Sequence, residues 1–125
     1  MEKKFNLYDL TKKLGIEVIK FSTTLPRDIP SKIIASQLVR SATSVGANYR
    51  SVCRARSKAD FIAKLGLVEE EADETLYWLE ILQETAIVSE LSIKNIYSIA
   101  KQILAMTISS LKTAKKNPKF RIFDN

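Results

Sequence analysis

Histidine is absent from this 125-residue chain, and cysteine occurs once, as Cys53. Without histidine the usual general base, the usual zinc ligand and the usual switch near neutral pH are all missing. A lone cysteine cannot close an internal disulfide or build a zinc or iron–sulfur cluster. Glycine and proline number three each, too few for the tight turns of a β-rich chain. No apolar run approaches the roughly 20 residues that span a bilayer, and Met1-Glu2-Lys3-Lys4-Phe5-Asn6 lacks the apolar stretch of a signal peptide. Neither of the glycine-rich phosphate loops, GxGxxG or GxxxxGK(S/T), occurs. What is present is a hydrophobic fraction of 46%, enough to build a core, in a length that suits one domain over residues 1–125. These features predict a cytoplasmic, all-α protein without membrane association, cofactor or enzymatic activity.

The prolines punctuate the chain. Pro26 and Pro30 flank Arg27-Asp28-Ile29, and Pro118 follows Asn117; proline costs roughly 3 kcal/mol inside a helix, so these positions read as boundaries. Ser57-Lys58-Ala59-Asp60 has the spacing of a capping box, and Ser92 is a candidate N-cap after the polar break at Ser89-Glu90. Four segments remain, about 6–25, 31–55, 58–88 and 92–116, with a tail at 117–125. The first spaces Leu7, Leu10, Leu14, Val18, Phe21 and Leu25 by three or four residues, and the second does the same from Ile34 through Leu38, Ala42, Val45 and Tyr49 to Val52. The third repeats from Phe61 to Ala86, and the fourth from Ile93 to Met106. Steps of three and four keep apolar groups on one helix face, whereas a strand would need alternation. Short connections between four amphipathic helices predict an antiparallel up-down-up-down four-helix bundle. Gly15, Gly46 and Gly66 fall inside helices, either as neutral changes or where backbones approach closely.

A second apolar row lies on the third helix: Leu67, Trp78, Ile81 and Val88. It is either the edge of a wide core face or a surface for self-association, where tryptophan is enriched.

The net charge of +6 is unevenly sorted. Residues 40–58 carry Arg40, Arg50, Arg54, Arg56 and Lys58 and no acid, while residues 59–90 are strongly acidic. Antiparallel pairing puts Arg40 level with Asp73 and within a turn of Glu70, Glu71 and Glu74. An arginine at a helix seam needs a carboxylate partner, so this group reads as a structural ion-pair network. Arg50, Arg54, Arg56 and Lys58 crowd the end of the second helix, and Lys112, Lys115 and Lys116 the end of the fourth, followed by Lys119 and Arg121. In an up-down bundle these ends coincide, giving a basic surface suited to RNA or DNA phosphates. Tyr49, Phe120 and Phe123 are candidate stacking residues. The plain alternative is solvated lysine and arginine that favour helix C-termini. The acidic run Glu69-Glu70-Glu71 with Asp73-Glu74 hints at a di-metal bundle, but the Glu-x-x-His pattern of that design cannot form here. Ser41, Thr43 and Ser44 have no evident base and read as small packing positions.

The stretch Gln37-Leu38-Val39-Arg40-Ser41-Ala42-Thr43-Ser44-Val45-Gly46-Ala47-Asn48-Tyr49, then Arg54-Ala55-Arg56-Ser57-Lys58-Ala59-Asp60-Phe61, resembles the four-helix bundle proteins named for the 23S rRNA intervening sequence. Lys64-Leu65-Gly66 and Glu70-Glu71-Ala72-Asp73-Glu74-Thr75-Leu76-Tyr77-Trp78-Leu79 continue the likeness. The resemblance implies an antiparallel bundle that assembles as a homopentamer. Relatives among the accessory proteins of diversity-generating retroelements are basic pentamers that bind nucleic acid and a reverse transcriptase. The expected partners are therefore other copies of the chain and RNA or DNA, with a protein–protein scaffold as the alternative.

Overall fold

The computed structural model describes residues 6–119. They form four helices, α1 (Leu7–Ser22), α2 (Ile29–Val52), α3 (Lys58–Glu84) and α4 (Glu90–Lys116), with no strand among the described residues. Each helix packs on its neighbour in the chain and α1 closes on α4, while α1 and α3, like α2 and α4, sit across the centre from one another. The result is a four-helix bundle.

Short polar side chains start every helix. Asn6 accepts from the Asp9 amide, Asp28 from Ser31, Ser57 from Asp60 and Ser89 from Ser92, each satisfying an amide that the first helical turn leaves unpaired. Five boundaries differ by two residues or more from those read in the sequence. Two of these are early ends: α1 stops at Ser22 rather than Leu25, and α2 at Val52 rather than Ala55. Helix α2 begins at Ile29, because Pro30 fits the first turn, where its missing N–H is no loss. Ser89 caps α4, and Ser92 donates to it instead. Helix α3 stops at Glu84: Ala86 takes a left-handed φ of 61°, its amide donates to the Gln83 carbonyl and that of Val88 to Leu82. Ala86, expected on the apolar stripe, is consequently exposed. At the other end of α3, Asp60 reaches past Ser57 to accept from the Arg56 amide at 3.1 Å.

The apolar stripes meet in one core. Leu14, Val18, Leu38, Val45, Leu65, Leu79, Leu82, Ile93 and Ile103 are all but inaccessible, each worth about 1.5–3 kcal/mol relative to exposure. Two hydroxyls are buried with them at the α2–α3 seam: Thr75 and Ser41 lie 3.0 Å apart, and each also reaches a backbone carbonyl of its own helix, Glu71 and Leu38 respectively. Ser41 thus does more than leave space. Among the described residues no buried side-chain nitrogen or oxygen lacks a hydrogen bond.

The glycines divide. A methyl group on Gly46 would sit 3.3 Å from the Thr11 carbonyl oxygen, and one on Gly15 would touch Thr43 at 3.7 Å, so α1 and α2 approach through this pair. Gly66 faces open space. Among the described residues no helix is long and apolar enough to cross a membrane.

Candidate functional site

Contacts join the start of α1 to the end of α2 and the start of α3 to the end of α4, and residues 53–57 link the two pairs. Lys58 Nζ donates to the Asn117 carbonyl at 2.9 Å, tying the first turn of α3 to the C-cap of α4. The Arg50 guanidinium lies over the Tyr8 ring, 5.2 Å from its centroid, tying α2 to α1. This geometry brings the two basic groups of the sequence to the same end. Arg50, Arg54, Arg56, Lys112, Lys115 and Lys116 are exposed there and Lys58 is half-buried. None of these seven forms a salt bridge among the described residues. Asp9 and Asp60 are acids at this end, and the Asp60 carboxyl is held below the usual aspartate range. The Arg56 amide contributes most, followed by the hydrogen bond from Lys64, which lies 3.0 Å away.

Between Tyr8, Arg50 and Arg54 a cleft of ≈ 680 Å³ opens, lined also by Ala47, Ser51 and Cys53. It continues through Tyr8, Ala47 and Arg50 into a second hollow of ≈ 340 Å³ along the α1–α2 seam. Tyr8 is 43% exposed. Tyr49, expected to stack, packs half-buried against the core, and burial and then the neighbouring Cys53 push its hydroxyl pKa up. It is not free to stack. Phe120, Arg121 and Phe123 lie outside the described residues. Nothing within α1 announces the register of Tyr8 against α2. The glycine pair is the signal that could have found it: Gly15 against Thr43 and Gly46 against Thr11 bring residue 8 beside residue 50.

The arginine of the acidic network sits elsewhere, midway along the outer α2–α3 seam. Arg40 donates to Glu71 at 3.3 Å, to Glu74, and to Gln37. Glu70 and Asp73 are exposed and make no salt bridge with it, because they lie round the helix from the seam. Glu74 also accepts from the Trp78 indole at 3.0 Å. The Arg40 side chain is 46% exposed, so each pair contributes no more than about 1 kcal/mol. Arg40 thus meets two of the four expected acids at the seam and is not buried in the single chain. Among the described residues no group of three or more acidic or cysteine side chains is placed to hold a metal ion.

Of the second apolar row, Trp78 and Val88 pack half-buried against the core. Ile81 is half-buried and Leu67 is 47% exposed. The edge of Tyr77 meets Trp78, ring centroids 4.9 Å apart. Other large apolar groups reach the surface at Ile16, Ile19, Ile29, Ile33 and Leu91.

Chemically, the basic end offers guanidinium and ammonium groups that form no salt bridge among the described residues, next to an aromatic face. The family profile described as 23S rRNA-intervening sequence protein matches residues 3–109. The crystal structure of a protein of unknown function from the S23 ribosomal protein family of Bacteroides thetaiotaomicron VPI-5482 is similar, with a TM-score of 0.78 and 32% identity. That likeness covers 86% of this chain and 99% of the other. No curated protein matches the chain.

Proposed function

This chain belongs to the 23S rRNA-intervening sequence protein family, and we propose that it is a non-enzymatic, cytoplasmic homo-oligomer of antiparallel up-down-up-down bundles. Its basic end binds RNA or another nucleic acid, in a role accessory to rRNA or RNA processing. The observation that carries this reading is the gathering of Arg54, Arg56, Lys112, Lys115 and Lys116 at one end with no salt bridge among the described residues. Cations gathered in this way repel one another, an arrangement that a polyanion relieves. Phosphate contacts of this kind give affinity without base specificity. Self-association is supported by the apolar groups left in water, Leu67 on α3 with Ile29 and Ile33 on α2, the latter 58% exposed; the homopentamer is the assembly proposed.

Fluorescence anisotropy with a short labelled RNA, combined with light scattering for mass, tests the reading. Affinity should fall steeply and log-linearly with salt, and the mass should be a multiple of 14.1 kDa. A second reading, a protein–protein scaffold, draws on Leu91, 80% exposed, and Ile29, 75% exposed, at the end away from the basic groups. Absence of RNA or DNA affinity at low salt would select the scaffold.

A further inference from the structure

The nucleic-acid reading leaves open whether the strand is paired, and the cleft beside Tyr8 bears on that choice. Three features converge there. An aromatic ring stands 43% exposed at the start of α1. The Arg50 guanidinium covers it at 5.2 Å, a cation–π arrangement that holds both groups in place. Arg54, exposed and without a salt bridge among the described residues, lines the same hollow of ≈ 680 Å³. The acid nearest in sequence, Asp9, accepts from the Asn6 side chain at 3.1 Å and so is engaged in the cap of α1. An aromatic ring 5.2 Å from one arginine cation and sharing a hollow of small-molecule size with another matches a flat base joined to a phosphate. A base within a duplex is stacked on both faces and cannot reach such a ring, whereas an unpaired one can.

We propose that this cleft holds one unpaired nucleotide of a single-stranded nucleic acid, its base stacked on Tyr8 and its phosphate on Arg54, with Arg50 bracing the ring. The inference rests on the proposed nucleic-acid role and adds strand state and a specific residue to it. The lysines of α4 then hold the backbone on either side without regard to pairing.

The test uses the full chain with a labelled single-stranded RNA and a labelled duplex of the same sequence, each titrated at low salt. The parent should bind the single strand more tightly. Tyr8→Leu keeps apolar bulk but removes the π face, and should weaken single-strand binding about 5- to 150-fold, the range for losing one stacked base. It should leave duplex binding unchanged. Tyr8→Phe should restore single-strand affinity. Irradiation of the complex with 5-bromouridine RNA should cross-link the peptide that contains Tyr8. Equal losses on single strand and duplex, no loss on either, or cross-links confined to other peptides would overturn the proposal while leaving the basic-end reading intact. Failure of the parent to bind any of the probes would remove both. Should Tyr8→Leu unfold, Tyr8→Phe and the cross-link still decide.

Discussion

Two matched triple variants separate the placement of charge from its amount. In the first, Arg54, Arg56 and Lys116 at the basic end become glutamate. In the second, Lys20, Lys32 and Lys94, exposed near the other end on α1, α2 and α4, become glutamate. Each reversal removes two units of charge, so either triple takes the formal +6 to zero. The affinity of a single strand falls with salt at a log–log slope of about −0.7 per neutralised phosphate. If Arg54, Arg56, Lys112, Lys115 and Lys116 each neutralise one, the slope is about −3.5, and a rise from 50 to 200 mM salt weakens binding about 130-fold. The first triple leaves Lys112 and Lys115, with a slope of about −1.4 and a loss of about 7-fold over the same range. If both lines meet near 1 M salt, the first triple binds about 500-fold more weakly than the parent at 50 mM. The second triple should keep the parental slope, because its sites lie beyond the Debye length of about 10 Å at 0.1 M salt. Anisotropy titrations with a short labelled RNA at several salt concentrations supply all three lines, and circular dichroism checks the fold. Equal losses in the two triples would refute the argument, since net charge and not its gathering at one end would then govern binding.

Three further outcomes concern the scaffold. Gly66→Ala should stabilise the bundle by about 0.5–1 kcal/mol through backbone entropy alone. Gly46→Ala should destabilise it, because the new methyl would press on the Thr11 carbonyl; thermal melts that rank the two alike would contradict the close approach of α1 and α2. Ser41→Ala and Thr75→Val should each cost about 1 kcal/mol rather than the larger penalty of an orphaned hydroxyl, since the survivor still has its own carbonyl. Their double variant should fall short of the sum, and strict additivity in urea melts would deny that the two hydroxyls interact. Asp28 is held below its ordinary value of 3.8 by the Ser31 amide first and the Ser31 hydroxyl second. A carboxylate depressed in the folded state contributes stability above the unfolded pKa and loses it as pH falls through the folded one. The melting temperature should accordingly drop below about pH 4, and Asp28→Asn, which can still cap but cannot titrate there, should flatten that decline. An unchanged acid limb would assign it to other carboxyls.

Much of the bundle could be read before any coordinates, and for a local reason. Leu14, Leu38, Leu65 and Ile103 bury themselves because helical pitch puts them in register with their own stripe, a property of the neighbouring residues on the same helix. Caps such as Ser57 are local too, with donor and acceptor three residues apart. The structure departs from the local pattern where local rules compete. Ser92 has the residue type of a cap, but Ser89 takes that role, and the left-handed turn at Ala86 ends α3 although the periodicity runs on. The glutamates show the next level: Glu70, Glu71 and Glu74 share a charge and a helix, yet Glu71 and Glu74 alone meet Arg40, since facing directions depend on how α2 and α3 interlock.

The order of greasy and charged residues along the chain suffices for four rods, their approximate ends and the clustering of cations near two of their termini. Each of those features depends on separations of a turn or so, which backbone geometry makes predictable. The pairing of Tyr8 with Arg50, the reach of Lys58 to Asn117 and the withdrawal of Tyr49 into the core depend on the mutual register of helices. That register comes from side chains of two helices filling one another's gaps, glycine against threonine at the α1–α2 seam, and it has no signature within either helix alone.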